Sequence, residues 1–128
     1  MIEESRPSKK ILFLEDEEIL GRLYCKKLEE AGYVVRLCKD TDELIDHYES
    51  FDADLAFLDQ GIKDHHVSGM DMIPILKNKN PNVKIAMLSN YSEFQLKDKA
   101  KKAGAHDYLL KINMSPTKLV QYTRKIFT

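Results

Sequence analysis

The sequence predicts a doubly wound α/β domain built around a five-stranded parallel sheet, and three observations carry that prediction. Five short apolar runs recur along the chain: Ile11 to Leu14, Val34 to Leu37, Asp54 to Leu58, Lys84 to Leu88 and Tyr108 to Leu110. They show little alternation of polar and apolar residues, as expected of strands buried on both faces in a parallel sheet. Between them lie longer amphipathic stretches with helix start and stop signals, and the two kinds alternate strictly. Such alternation gives strand–helix units whose right-handed crossovers bury the sheet between two helical layers.

Taken in order, the helices are marked as follows. Leu20, Leu23, Tyr24, Leu28 and Ala31 form a stripe at helical spacing, closed by Gly32 as the residue just past the helix end. Asp40 followed by Glu43 resembles a capping box that opens a second helix. The third runs from Met70 towards Asn78, before a turn at Pro81. Ser92 with Gln95 reads as a further capping box, and its helix closes near Gly104. Ser115, with Pro116 at the first helical position, opens the last helix. Residues 1–9 read as a flexible polar lead-in broken by Pro7, and residues 10–128 as the domain.

A chain of 128 residues suffices for one compact core. Twenty basic residues against 21 acidic ones leave a net charge of −1, so no electrostatic footprint points to nucleic acid or an anionic membrane as a direct partner. No apolar run reaches membrane-spanning length, and the N-terminus lacks the apolar segment of a secretion signal. Cys25 and Cys38 have neither CxxC spacing nor a histidine at zinc-finger distance. They read as packing thiols in a reducing, cytoplasmic compartment.

Ligands of an open parallel sheet sit beyond the carboxyl ends of its strands. The first run is followed by Glu15 and Asp16, the third by Asp59, the fourth by Ser89 and Asn90, and the fifth by Lys111. Three carboxylates, a hydroxyl and an ammonium group are thus expected on one sheet edge. Clustered carboxylates raise one another's pKa unless a cation joins them. Mg²⁺ suits such a set, because it takes a few carboxylates together with waters and phosphate oxygens. With a hydroxyl and a lysine to contact phosphate oxygens, one carboxylate is left as nucleophile, a role established in aspartyl-phosphate chemistry.

These residues carry a resemblance. The run Ile11-Leu12-Phe13-Leu14-Glu15-Asp16-Glu17 is similar to the opening of a response-regulator receiver domain, the chemotaxis-regulator-like module of two-component signalling. Leu58-Asp59, Leu88-Ser89 and Asp107-Tyr108-Leu109-Leu110-Lys111 resemble its other signatures, in order and at matching separations over nearly the whole chain. The resemblance implies the flavodoxin-like strand order 2-1-3-4-5. It also implies that Asp59 is the phosphoacceptor. Glu15, Asp16, Asp59 and the backbone carbonyl of Gly61 would hold Mg²⁺. Ser89 and Tyr108 correspond to the switch pair, and Lys111 to the lysine beside the acceptor. Gly61 and Tyr91 stand where the family tunes phosphoryl lifetime. The implied donor is a histidine kinase or phosphotransfer protein. The implied target is a protein bound through the face formed by the fourth helix, fifth strand and fifth helix, with the chain a monomer or weak dimer. Such a domain is no enzyme beyond its own phosphorylation and dephosphorylation.

The chain departs from the family pattern at several points. The loop from Gln60 to Ser68 is about two residues longer than usual, with Lys63 in place of a common proline. Glu15 replaces a frequent aspartate, Asn90 a small residue, and Ile112 the usual proline after Lys111. A non-proline cis bond costs about 2.5–4 kcal/mol, so a trans bond and a remodelled loop are expected there. The competing readings are a non-phosphorylated interaction module on the same fold and an aspartate-nucleophile phosphatase. The second lacks its general acid, since Gly61 stands two residues past Asp59. His65 and His66 read as loop residues, His47 and His106 as structural, and the lysines Lys97, Lys99, Lys101 and Lys102 as the solvated face of the fourth helix.

Overall fold

The computed structural model describes residues 8–60 and 68–128. Strand β1 (Lys10–Leu14) leads to α1 (Glu18–Glu30), β2 (Val34–Cys38) to α2 (Thr41–Tyr48), and β3 (Leu55–Asp59) to α3 (Met72–Lys79). Strand β4 (Lys84–Ser89) leads to α4 (Phe94–Ala103), and β5 (Asp107–Leu110) to α5 (Pro116–Ile126). All pairings are parallel, in the order β2-β1-β3-β4-β5. This is the predicted flavodoxin-like architecture.

Alternate residues of each central strand serve opposite layers. Leu12, Leu14, Ala56, Leu58, Ile85 and Met87 join Leu44, Ile73, Leu76 and Ala100 under α2, α3 and α4. Ile11, Phe13, Leu55, Phe57, Ala86 and Leu88 join Tyr24, Leu28, Leu119 and Val120 under α1 and α5. Ile11 to Leu14 are all completely buried. Each such side chain contributes about 1.5–3 kcal/mol relative to exposure. The outer strands differ from the expectation of full burial: β5 is half-exposed throughout, and in β2 only Cys38 is buried. Each has a single neighbouring strand, so part of its surface lies beyond the helical cover.

Helix boundaries follow the capping chemistry in most places. Asp40 Oδ1 accepts from the Glu43 N–H at 2.8 Å. Ser115 Oγ accepts from the Lys118 N–H at 3.2 Å, with Pro116 in the first turn. Gly32 and Gly104 take φ of +102° and +115°, ending α1 and α4. Three expectations are corrected. Leu23 is 46% exposed and Cys25 is buried instead, so the buried stripe of α1 runs Gly21, Tyr24, Cys25, Leu28. Ser92 caps nothing: α4 starts at Phe94 behind Glu93, whose side chain makes no capping bond. The preceding turn is closed earlier, by Ser89 Oγ accepting from the Tyr91 N–H at 3.0 Å. The third helix begins with a 3₁₀ turn (Gly69–Asp71), opened by a reciprocal capping box between Ser68 and Asp71.

Candidate functional site

Four strand ends deliver the predicted groups to one edge of the sheet. Glu15 follows β1 directly, and its N–H donates to the Cys38 carbonyl at the end of β2 at 3.0 Å. Asp59 is the last residue of β3, Ser89 the last of β4, and Lys111 follows β5. The carboxylate oxygens of Glu15, Asp16 and Asp59 lie within 4.8 Å of one another. Lys111 Nζ stands between two of them, 2.7 Å from Glu15 Oε1 and 2.9 Å from Asp59 Oδ2. These groups line an open cleft of about 560 Å³ together with Glu17, Asn90 and Tyr91.

The cleft is open, yet its two innermost carboxylates are buried. Glu15 is 1% exposed and Asp59 3%. Burial, followed by the neighbouring Asp59 carboxyl, pushes the Glu15 carboxyl up from 4.5 to about 7 against the pull of Lys111. Burial alone would lower the Lys111 pKa, but the two carboxylates outweigh it and the ammonium is held above its ordinary value. Glu15 Oε2 accepts from the Glu17 N–H at 3.1 Å, while Oε1 pairs with the Lys111 ammonium. An excess of hard, buried oxygen donors with one ammonium is a set that a small divalent cation would complete.

Ser89 and Tyr108 meet through a third residue. Ser89, completely buried, binds the N–H of Tyr91. The Tyr108 hydroxyl donates to the Tyr91 carbonyl at 2.8 Å. Burial raises the Tyr108 pKa, with Ser89 acting against it. Both predicted switch residues therefore hold Tyr91 in the β4–α4 connection, Ser89 through its N–H and Tyr108 through its carbonyl.

Two supporting residues escaped the sequence reading. A Cβ on Gly69 would stand 2.0 Å from the Asp59 carbonyl oxygen, so the chain at Gly69 touches the backbone of Asp59 itself. The signal was a glycine at the loop's end, indistinguishable from a turn glycine without the fold. Tyr24 of α1, 2% exposed and stacked on Phe13 at 5.5 Å, donates to the Met114 carbonyl at 2.7 Å. Its place in an apolar stripe hid this polar end. Gly61, Lys63, His65 and His66 lie outside the described residues. The Lys111–Ile112 junction matches expectation: no cis peptide bond occurs among the described residues, and Lys111–Asn113 forms a 3₁₀ turn.

Comparison with known proteins places these observations. A family model described as the response regulator receiver domain matches residues 11–124. The two-component response regulator PhoP of Pseudomonas aeruginosa is 32% identical over 102 residues, covering 80% of this chain and 44% of that protein. The nitrogen assimilation regulatory protein NtrX of Azorhizobium caulinodans is 29% identical over 101 residues, 79% of this chain and 22% of its own. The chain thus spans less than half the length of these curated relatives. Among solved structures, a CheY-like response regulator receiver domain protein from Methanospirillum hungatei superposes with a TM-score of 0.85 at 23% identity, covering 93% of each chain. A response regulator protein from Burkholderia pseudomallei, solved with a phosphorylated aspartic acid, calcium ion and citrate, gives 0.76 at 24% identity, covering 94% of this chain and 75% of that one.

Proposed function

Since the chain belongs to the response regulator receiver domain family, we propose that residues 10–128 act as a phosphoacceptor switch with Asp59 as the acceptor. One observation carries this reading. Lys111 Nζ lies within 3 Å of both Glu15 and Asp59 while Asp16 completes the acidic group, the arrangement a transferring phosphoryl group requires. In the proposed step an Asp59 carboxylate oxygen forms a bond to phosphorus as the donor's phosphorus–nitrogen bond breaks. The leaving imidazole of a kinase or phosphotransfer histidine takes up a proton. Lys111 is placed to follow the negative charge from the carboxylate to the phosphoryl oxygens.

The donor set fits Mg²⁺, with Glu15, Asp16 and Asp59 as its protein ligands and the Gly61 carbonyl as the further ligand the family implies. When bound, the ion would neutralise charge on the phosphoryl group during transfer. The Ser89 hydroxyl, presently bound to the Tyr91 N–H, would turn to a phosphoryl oxygen. Tyr108, bound to the same residue, would follow inward and alter the face formed by α4, β5 and α5. That face would bind a downstream protein. Curated relatives include regulators of transcription, such as CusR of Escherichia coli, so an output that reaches nucleic acid through another domain is compatible with this reading. A cytoplasmic location fits such signalling, and no helix among the described residues is long and apolar enough to cross a membrane.

The test is incubation with acetyl phosphate and Mg²⁺, followed by a phosphate-affinity gel. The expected result is a retarded band that EDTA and Asp59→Asn each abolish. A chain that shows no such band under conditions that label a control receiver would instead be an interaction module.

A further inference from the structure

We propose that Cys38, Glu43 and His47 form a second cation site, suited to a borderline-soft divalent ion of the zinc class. The sequence separates these residues and gives them no shared motif. The fold joins them, because the β2–α2 connection is short and lays the first turns of α2 over the end of β2. Glu43 and His47, four residues apart, share one face of α2. Their ligand atoms and Cys38 Sγ lie within 4.8 Å of one another. Cys38 is completely buried and the other two are half-buried, so the sulfur forms the inner end of the site and the helix side chains its mouth.

The donor chemistry differs from that of the cleft around Asp59. Three carboxylates suit a hard ion, whereas a thiolate, an imidazole and one carboxylate are the sulfur, nitrogen and oxygen set that zinc accepts. Three protein ligands would leave a fourth tetrahedral position for water. On binding, a bond forms between Cys38 Sγ and the ion, and the thiol proton passes to solvent. The thiolate and the Glu43 carboxylate then balance the ion's two charges, with no change of oxidation state.

Both sides of the site are held in place by protein contacts. Asp40 Oδ1 binds the Glu43 N–H at 2.8 Å and sets the first turn of α2. The Cys38 carbonyl is held by the Glu15 N–H. Arg36 is the opposing group: its Nη1 lies 3.4 Å from His47 Nδ1, and its guanidinium sits 4.7 Å from the Phe51 ring centre. A guanidinium has no lone pair to offer, so Arg36 competes with a cation for His47. Its removal should strengthen binding, whereas in a mere polar packing cluster it would do nothing for metal affinity.

The full chain, kept reduced, is titrated with Co²⁺ as the spectroscopic stand-in for Zn²⁺. One equivalent should produce thiolate-to-cobalt charge-transfer absorption and tetrahedral visible bands, which Zn²⁺ then displaces and excess Mg²⁺ does not. Cys38→Ser should abolish the charge-transfer band. Since Cys38 lies in the core, His47→Ala and Glu43→Gln serve as milder variants. Altering a residue that merely supports a ligand costs about 10–100-fold in affinity, so each should weaken binding at least about tenfold. Arg36→Gln should tighten it, and Asp59→Asn should leave the spectrum intact. No charge-transfer band at stoichiometric Co²⁺, or a band that survives Cys38→Ser, overturns the proposal. Unchanged affinity in His47→Ala overturns it as well. None of these outcomes bears on phosphorylation of Asp59.

Discussion

At Gly69 the returning chain lies so close to Asp59 that an added Cβ would stand 2.0 Å from its carbonyl oxygen and 2.8 Å from its carbonyl carbon. Both are backbone atoms of a central strand, which no rotamer change can move aside. Gly69→Ala is therefore expected to push the 3₁₀ turn away or to displace Asp59, at an overpacking cost of about 1–3 kcal/mol or more. The loss should appear in the urea midpoint, with a matching fall in acetyl-phosphate labelling. Gly32 supplies the control. Its φ of +102° disfavours a side chain, yet nothing lies within 4 Å of its Cβ position. Gly32→Ala should cost about 1 kcal/mol in backbone strain and leave labelling of the folded protein unchanged. Equal labelling losses in the two variants would mean that Gly69 acts on stability alone.

Lys111 reaches the acidic cluster through a short element, the Lys111–Asn113 turn, which joins β5 to α5. The turn is closed by the Met114 N–H on the Lys111 carbonyl at 3.0 Å and tied to α1 by the Tyr24 hydroxyl on the Met114 carbonyl. With Ile112 where proline is usual, Tyr24 supplies a tether from a separate helix. Tyr24→Phe keeps the ring on Phe13 and deletes that bond, at a cost of about 1 kcal/mol. The acetyl-phosphate rate should fall several-fold in the wild-type background and show no further fall when Lys111→Ala is already present. An equal fall in both backgrounds would show that the tether does not act through Lys111. This element also marks the limit of what the sequence discloses. The central strands were legible because burial on both faces leaves an unbroken apolar run. The meeting of Glu15, Asp16, Asp59 and Lys111 was legible because parallel strands all end at the same edge. Tyr24 was not, since its ring obeys the helical apolar pattern while its hydroxyl answers to a loop 90 residues away. The start of α4 was missed because Glu93, one residue past Ser92, takes the N-cap position without a side-chain cap, so capping chemistry does not mark that boundary. Cys38 and His47 share a site only once strand and helix are laid side by side, which periodicity does not encode.

The whole molecule places one charged cluster at the edge where its two hydrophobic layers meet the central strands. Glu15 is where this becomes measurable. In the metal-free fold its carboxyl is raised from 4.5 to about 7, chiefly by burial and then by Asp59. Between those values the folded chain holds the Glu15 proton more tightly than the unfolded chain does. Stability must then decline as pH rises through that window, because ionising Glu15 in the fold costs more than ionising it in water. The contribution is on the order of 3 kcal/mol. Other carboxylates titrate as well, so the informative quantity is the difference between wild type and Glu15→Gln. Without divalent ions, the wild type should lose stability relative to Glu15→Gln between about pH 4.5 and 7, as read from urea midpoints. Parallel curves would refute the assignment. Mg²⁺ adds the converse test. A ligand that binds only the folded state stabilises it by RT ln(1 + [L]/Kd), and the ionised cluster is the form that binds a cation. Added Mg²⁺ should therefore restore wild-type stability above pH 7 and have little effect near pH 5, where Glu15 holds its proton. Equal stabilisation at both values would place the ion somewhere other than beside Glu15.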